Sequence, residues 1–525
     1  MAQFLSRLPN ELEDAEAIVK RREKAAQRKD NWRSLYSDCY KYAMPMRDTF
    51  DWNAPGQFKN NILYDSTLQD VTYEAANTMV ALLMPAWQRW CSLIPGKLVL
   101  TSRQVNLKRI ITQLQEITET FFGFLNQSNF ASVSNEVALD LLVGTAALRF
   151  DENIDDDSNP FNFSATPLAA LEIEEGPAGT IETVFMLRKP LARNLVRMYA
   201  GMDEFDLPAG VQERIHEKPD EEIEIIQCTI YHPETRHYYG VVVSVKDKAI
   251  LWRYDFGESS PDIVGRAFKV AGESYGRGRI TLALSDARTL DKMQEFILRH
   301  SAIQIAPPVT GVSDGVLNPY TAVLMPNTVL PVGSNDSRNP SLKPIEIGGN
   351  FQISEAIMTD LRERIRRTML GPEPSDGPVK SATEISISDR NRLWALGGEY
   401  GRIQAELLTK IVARGVYILQ ARGLIPRFRI DGREVGLAFE SPFARSQDAE
   451  DLLAFDNTVQ RMMAFEGMAA VALNVDKLSE WIPRKAGMDM TQVNDQNERQ
   501  SAREQAAQAT AQLAKMAQDQ GQKIA

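Results

Sequence analysis

Few residues in this chain have the types that chemistry needs, and each has to be tested against its spacing. Gly371, Gly377 and the pair Lys380-Ser381 supply the residue types of a phosphate-cradling loop. That loop requires glycine immediately before the lysine, after a strand. Here Pro378-Val379 intervenes and a helical pattern precedes, so the residues are not read as a nucleotide site. Ser381-Ala382-Thr383-Glu384 reads instead as a capping box opening a helix. Cys228, His232 and His237 are metal-ligating types. Strand residues four apart lie about 13 Å apart, far for one tetrahedral ion. No fourth ligand accompanies them, and ordinary hairpin residues are expected. Asp155-Asp156-Asp157 reads as a solvated acidic turn, with a cation site as the alternative. The chain has four histidines and no G-x-S-x-G or H-E-x-x-H pattern, so no hydrolytic centre is visible. No catalytic residue, metal or cofactor is assigned.

The elements around these residues follow one plan. Gly272-Glu273-Ser274-Tyr275-Gly276-Arg277-Gly278-Arg279 leads into a helical pattern over 281–303. Its glycine spacing is not that of dinucleotide binding, and a tight turn into the helix is the expectation. An irregular Pro/Gly/Asn-rich excursion, 306–350, separates this helix from a second, 352–370. A Pro/Gly/Ser loop, 371–380, precedes the longest helical run, 381–422. The layout is an out-and-back stalk with an insertion at its tip, not the plan of a pocket enzyme.

The second stalk helix carries Arg362, Arg364, Arg366 and Arg367 beside Asp360 and Glu363. They read as a solvated ion-paired face or, functionally, as a surface meeting passing phosphate. Ile353, Ile357, Leu361, Ile365 and Met369 form an i+4 row able to pack on the partner helix or a neighbouring subunit. The 381–422 helix would span roughly 60 Å. Its glycines at 397, 398, 401 and 415 predict a bend near 397–401 or close helix contact.

The remaining chain predicts helices over 10–43, capped at Asn10 and Glu13, and from Asp65-Ser66-Thr67 to Met84, stopped by Pro85. Trp32, Leu35, Tyr36 and Tyr40 have the spacing of core residues. Trp87, Trp90 and Leu93 lie on a segment turning into a strand. Helices follow over 103–127 and 131–147, then a strand at Ala146–Phe150. Runs at 168–173, 180–188, 223–231, 237–245 and 249–254 predict an antiparallel meander with a short helix near 190–200. Asp431-Gly432 signals a type I′ hairpin between 428–430 and 435–439. Helices over 447–465, 467–473 and 475–482 end at a break at Pro483. In the Gln/Ala-rich end, Ala502, Ala506, Ala509, Leu513 and Met516 form a short a/d-like seam, fitting a multichain barrel or a frayed tail.

The fold class is α+β, mainly helical. At 525 residues the chain has room for several cores. No run of about 18 apolar residues exists, so no membrane partner is expected. The charged N-terminus lacks the apolar centre of a signal peptide. Three scattered cysteines suggest reduced thiols. The net charge of −11 argues against gripping nucleic acid along the whole surface, though an acidic wall with few basic residues lets DNA slide.

Taken together, the chain resembles the head-to-tail connector, or portal, proteins of short-tailed, podovirus-type bacteriophages over nearly its whole length. The resemblance rests on Tyr64-Asp65-Ser66-Thr67 leading the helix that ends at Met84-Pro85, followed by Trp87 and Trp90. It rests most on Gly272–Gly278 with Ala283-Leu284-Ser285-Asp286, and then on Ser381-Ala382-Thr383-Glu384. It implies a ring, usually of twelve copies, at one vertex of the phage head, with double-stranded DNA passing along its axis. In that fold 1–280 and 381–445 form the wing, 281–303 and 351–370 the stem helices, and 304–350 the clip. Residues 371–380 form the tunnel loop and 446–525 the crown. Channel contacts would fall to Lys380, Ser375, Gly377, Arg362 and Arg366. Asn318, Tyr320, Asn327 and Arg338 would face the terminase large subunit and later the tail adaptor. Major capsid and scaffolding proteins are further implied partners, in a virion assembled in the host cytoplasm. The family has no enzymatic activity of its own. Competing readings are another head-tail adaptor or assembly protein of the virion, and a metal-dependent nuclease whose site is built from scattered acids.

Overall fold

The computed structural model describes residues 3–4, 9, 12–47, 50, 63–98, 107–153, 158–199, 201–305, 309–311, 342–344, 351–371, 397–440, 442–463, 474–485 and 499–501. Two compact units divide the chain. Unit 1 comprises Met1–Arg33, Ala76–Gly278 and Gly377–Ala525; unit 2 comprises Ser34–Ala75 and Arg279–Asp376.

A two-residue strand, β1 (Gln3–Phe4), precedes the first helix, α1 (Ala15–Ala43). The helix starts later than its sequence signal. Asp14 is the cap: its Oδ1 accepts from the Glu16 and Ala17 amides at 2.9 and 3.3 Å. A carboxylate adjoining the first turn serves the orphan amides better than an asparagine four residues upstream. The next helix, α2 (Thr67–Leu83), opens as expected at Asp65, whose Oδ1 accepts from the Thr67 amide at 2.9 Å.

In unit 1, buried Trp90 leads into β2 (Cys91–Pro95). Helix α3 (Leu107–Gln127) buries Leu114, Ile117, Phe121, Phe122 and Leu125, the face its 3.6-residue spacing predicts. Helix α4 (Phe130–Val143) stops short of the expected end at 147, because Gly144 has φ of 149°. Strand β3 (Thr145–Glu152) follows at once, and β4 (Phe161–Thr166) returns antiparallel to it.

The expected meander is present. Strands β5 (Leu171–Glu175), β6 (Ile181–Arg188), β7 (Ile225–His232), β8 (His237–Ser244) and β9 (Ala249–Asp255) pair in sequence order, all antiparallel, with β1 outside β9. Between β6 and β7 lie short helical turns at Ala192–Asn194 and Leu195–Met198, then α5 (Ala209–Glu217). One sheet face packs Phe185, Ile226, Ile230 and Val241 against Ile18, Val19 and Ala25 of α1. The other packs Ile225, Val242, Trp252 and Tyr254 against Leu195, Tyr199 and Val211. A last strand, β10 (Asp262–Arg266), goes back to β3 and completes a second sheet of order β10-β3-β4.

Unit 2 contains the stalk pair, α6 (Arg279–Ile305) and α7 (Phe351–Thr368). Between them β11 (Val309–Gly311) pairs antiparallel with β12 (Leu342–Pro344). Tyr36 and Tyr40 of α1 are buried and their rings lie 6.2 and 5.6 Å from that of Phe50, as the core reading predicts.

Unit 1 resumes with a helix described from 397, which passes through a π-helical turn, Gln404–Leu408, into α8 (Thr409–Ala421). Among the described residues a Cβ on Gly397, Gly398 or Gly401 would meet nothing within 4 Å. At Gly415 a Cβ would stand 2.3 Å from the Phe121 ring, and there the close-contact expectation holds. The expected hairpin at Asp431-Gly432 is not formed. A type I′ turn needs positive φ at both central residues. Only Gly432 has it, at 72°, while the Asp431 side chain accepts from the Arg433 and Glu434 amides. Strand β13 (Val435–Phe439) pairs with β2 instead. Helix α9 (Pro442–Met463) begins on a proline, which needs no amide partner there. Helix α10 (Val475–Lys485) continues through Pro483 rather than breaking at it. The capping box at 381–384, the helix at 467–473 and the seam at 502–516 lie outside the described residues.

Candidate functional site

Within unit 1, the Gly272–Gly278 segment is held at almost every residue. Gly272 has φ of 85°, the turn its type predicts. Gly276 and Gly278 serve a different need. A Cβ on Gly276 would lie 2.4 Å from the Gly144 carbonyl oxygen, and one on Gly278 would lie 2.0 Å from that of Leu142. The Gly276 amide donates to Thr145 Oγ1 at 2.9 Å and the Gly278 amide to the Val143 carbonyl at 2.9 Å. These glycines bring two backbones together. Tyr275 is buried and its hydroxyl lies 3.2 Å from the Ile173 amide, which donates to it. Arg277 pairs with Glu273 at 2.7 Å and covers the Trp32 ring at 5.1 Å.

Beside this segment sits a buried charge cluster that sequence reasoning missed. The fully buried Arg266 side chain donates to both carboxylate oxygens of Glu406, at 3.0 and 2.6 Å, and to the Ser274 and Gly179 carbonyls. Glu175 pairs with both Arg266 and Lys269. Glu406 lies in the π-helical turn, so Arg266 ties that turn to β10 and β5. No local sequence signal joins residues so distant. In contrast, the alternation Phe161-Asn162-Phe163 does announce β4, which the sequence reading also missed.

In unit 2, the arginine face of α7 is partly engaged. Arg362 pairs with Asp65 at 2.8 Å, and Arg364 lies 3.3 Å from Asp286. Against the cost of burial, hydrogen bonds from Thr67 and Arg362 hold the Asp65 carboxyl below its ordinary range. Asp291 of α6 accepts from the Tyr64 and Asp65 amides at 2.6 and 3.2 Å. Thus Tyr64-Asp65-Ser66-Thr67 both caps α2 and braces the helix pair. Arg366 is half-buried. The i+4 row divides: Leu361, Ile365 and Met369 are buried, while Ile353 and Ile357 are 58% and 46% exposed. On α6, Phe296, Leu298 and Ile305 are exposed as well.

Lys380, Ser375, Gly377, Asn318, Tyr320, Asn327, Arg338 and Asp155-Asp156-Asp157 lie outside the described residues. Cys228, His232 and His237 have separate local partners. The Cys228 thiol donates to the Val241 carbonyl at 3.1 Å, and burial pushes it up to about 12. His237 Nδ1 lies 2.9 Å from Asp255, and His232 Nδ1 lies 3.4 Å from Thr235 Oγ1. Among the described residues no group of three or more His, Cys, Asp or Glu is placed to hold a metal ion, and no helix is long and apolar enough to cross a membrane.

No curated protein matches the chain. Among solved structures, a chain from the virion of a native gene transfer agent particle aligns with 82% of this chain and 92% of that chain, at 11% identity and a TM-score of 0.36. A scan against protein families matches residues 15–493 to the bacteriophage head to tail connecting protein. That match runs from the start of α1 past the end of α10, and the chain belongs to the family of bacteriophage head to tail connecting proteins.

Proposed function

We propose that the protein is a portal: a ring of about twelve copies at the head vertex whose axis carries double-stranded DNA inward during packaging and outward during ejection. The family membership supports this reading. The observation that carries it is the stalk of unit 2, an antiparallel-running helix pair braced at Asp65 and Asp291, with apolar side chains left exposed at Ile353, Ile357, Phe296 and Ile305. Exposed apolar surface on an otherwise braced element suits contact with neighbouring copies. The clip between the two helices would meet the terminase large subunit, then a tail adaptor, through Asn318, Tyr320, Asn327 and Arg338. Capsid and scaffolding proteins would meet the ring during assembly in the host cytoplasm. Arg366 and the loop residues Lys380, Ser375 and Gly377 would touch passing phosphates without holding them, and Lys380→Ala with unchanged packaging would remove that role. The protein acts as a conduit with no catalysis of its own.

Native mass spectrometry with negative-stain imaging tests the reading. A ring of about twelve chains with an axial hole is expected. A persistent monomer in the presence of scaffold would overturn it in favour of a different head-tail assembly role. Cleavage of DNA by the pure protein with a divalent cation would favour the nuclease reading.

A further inference from the structure

Unit 1 carries a knob and a socket of matching chemistry. The knob is Phe205, 91% exposed and flanked by Glu204 and Asp206. Its turn is preorganised. Asp203 Oδ1 accepts from the Phe205 amide at 3.0 Å, and Gln212 Nε2 donates to the Glu204, Phe205 and Leu207 carbonyls at 2.9, 3.3 and 2.9 Å. A side chain so far out of its own core, on a turn fixed by four hydrogen bonds, loses little freedom on binding. The Asp206 carboxylate has no hydrogen bond or ion pair among the described residues.

The socket is a concavity of about 760 Å³ with an apolar lining that includes Ala165, Pro167, Met186, Leu187, Pro190 and Met198. Arg188 and Arg197 stand on its wall and also line the adjoining cavity. Neither guanidinium has an ion-pair partner among the described residues. Among the described residues, the acids of the adjoining cavity are taken elsewhere, Asp151 by Arg149 at 2.6 Å and Glu152 by Arg422 at 2.9 Å. Among the described residues the socket therefore presents two arginines without an ion-pair partner beside apolar, methionine-bearing surface. An aromatic ring flanked by carboxylates answers both features, and arginine and aromatic side chains are those that dominate protein interfaces. Two arginines beside an open apolar hollow do not make the long basic track that a nucleic-acid backbone needs.

We propose that the socket receives Phe205 of a second copy of this chain, with Asp206 of that copy answering Arg188 or Arg197. With the knob of each copy in the socket of the next, the contact is heterologous and repeats head to tail, the kind of contact from which rings are built. The inference rests on the ring reading above and adds the residues that join neighbouring copies.

The test uses the full chain and measures the concentration at which half of it is assembled. Phe205→Ala and the pair Arg188→Glu with Arg197→Glu are each expected to raise that concentration about tenfold or more. Adding Asp206→Arg to Arg197→Glu should recover part of the loss. A photoreactive phenylalanine analogue at position 205 should cross-link to residues 186–198 of another chain. Wild-type rings with all variants assembling alike, or a cross-link to any other segment or within one chain, would overturn this contact and leave the ring reading standing. A wild-type chain that never assembles would overturn both. Since Phe205 and Asp206 are exposed, their substitution should leave the melting temperature of the protomer unchanged, which separates lost contact from lost fold.

Discussion

Arg266 decides more at the residue scale than any group the sequence singled out. Its guanidinium is fully buried and faces two carboxylates and two carbonyls. Removing one partner of such a cluster leaves buried charge uncompensated, at roughly 3–5 kcal/mol. Arg266→Ala should therefore lower the unfolding free energy read from urea denaturation by that amount, whereas Arg193→Ala, which breaks an exposed pair with Asp220, should change it by about 0.5 kcal/mol or less. Lys29 is the second such residue. Its amine donates to the Leu168 and Ala169 carbonyls at 2.6 and 2.7 Å, and burial lowers it to about 8. Between about pH 8 and the ordinary lysine range, the unfolded chain binds the proton that the folded chain has released. Stability from this group therefore rises with pH across that window. The wild type should gain on Lys29→Met as pH goes from about 8 to about 10, by up to a few kcal/mol at roughly 1.4 kcal/mol per unit. Equal slopes in paired urea titrations would show that Lys29 keeps its proton in the fold.

Elements are held by backbone contacts that side-chain patterns do not reveal. Gly276 and Gly278 lie against the junction of α4 and β3, and the amides of both are bonded there. Gly278→Ala would force a Cβ to 2.0 Å from the Leu142 carbonyl oxygen. Backbone cannot yield as a flexible side chain does, so the substitution should cost about 2 kcal/mol or more. Gly397→Ala meets open space and should be neutral or slightly stabilising through helix propensity. Thermal melts of the two variants compare the sites directly; similar shifts would sink the distinction. Turn chemistry accounts for Gly272, and close approach of the backbone at Leu142–Gly144 accounts for the other two.

For the whole molecule, what remains exposed matters as much as what is buried. Ile353 and Ile357 continue the row whose other members are buried, yet they lie open in a single chain. Changing both to serine should leave protomer stability within about 0.5 kcal/mol, because the two residues are already 58% and 46% exposed. The same change should reduce the assembled fraction in sedimentation experiments if neighbouring copies cover the row. An unaltered assembly would assign those residues no part in it.

The sequence by itself determined most of the described helices and the meander. Both are set by short-range periodicity and by turn residues, as the strands between 171 and 255 and the apolar face of α3 illustrate. It also placed the Gly272–Gly278 and Tyr64–Thr67 segments that carry the family resemblance. Tertiary structure alone decided that β13 pairs with β2 and not across Asp431-Gly432, that Arg266 meets Glu406, and that Arg362 meets Asp65. Those partners are far apart in the chain, and no local pattern encodes them. They form because buried charge and strand edges must find a partner once the fold brings them out of water.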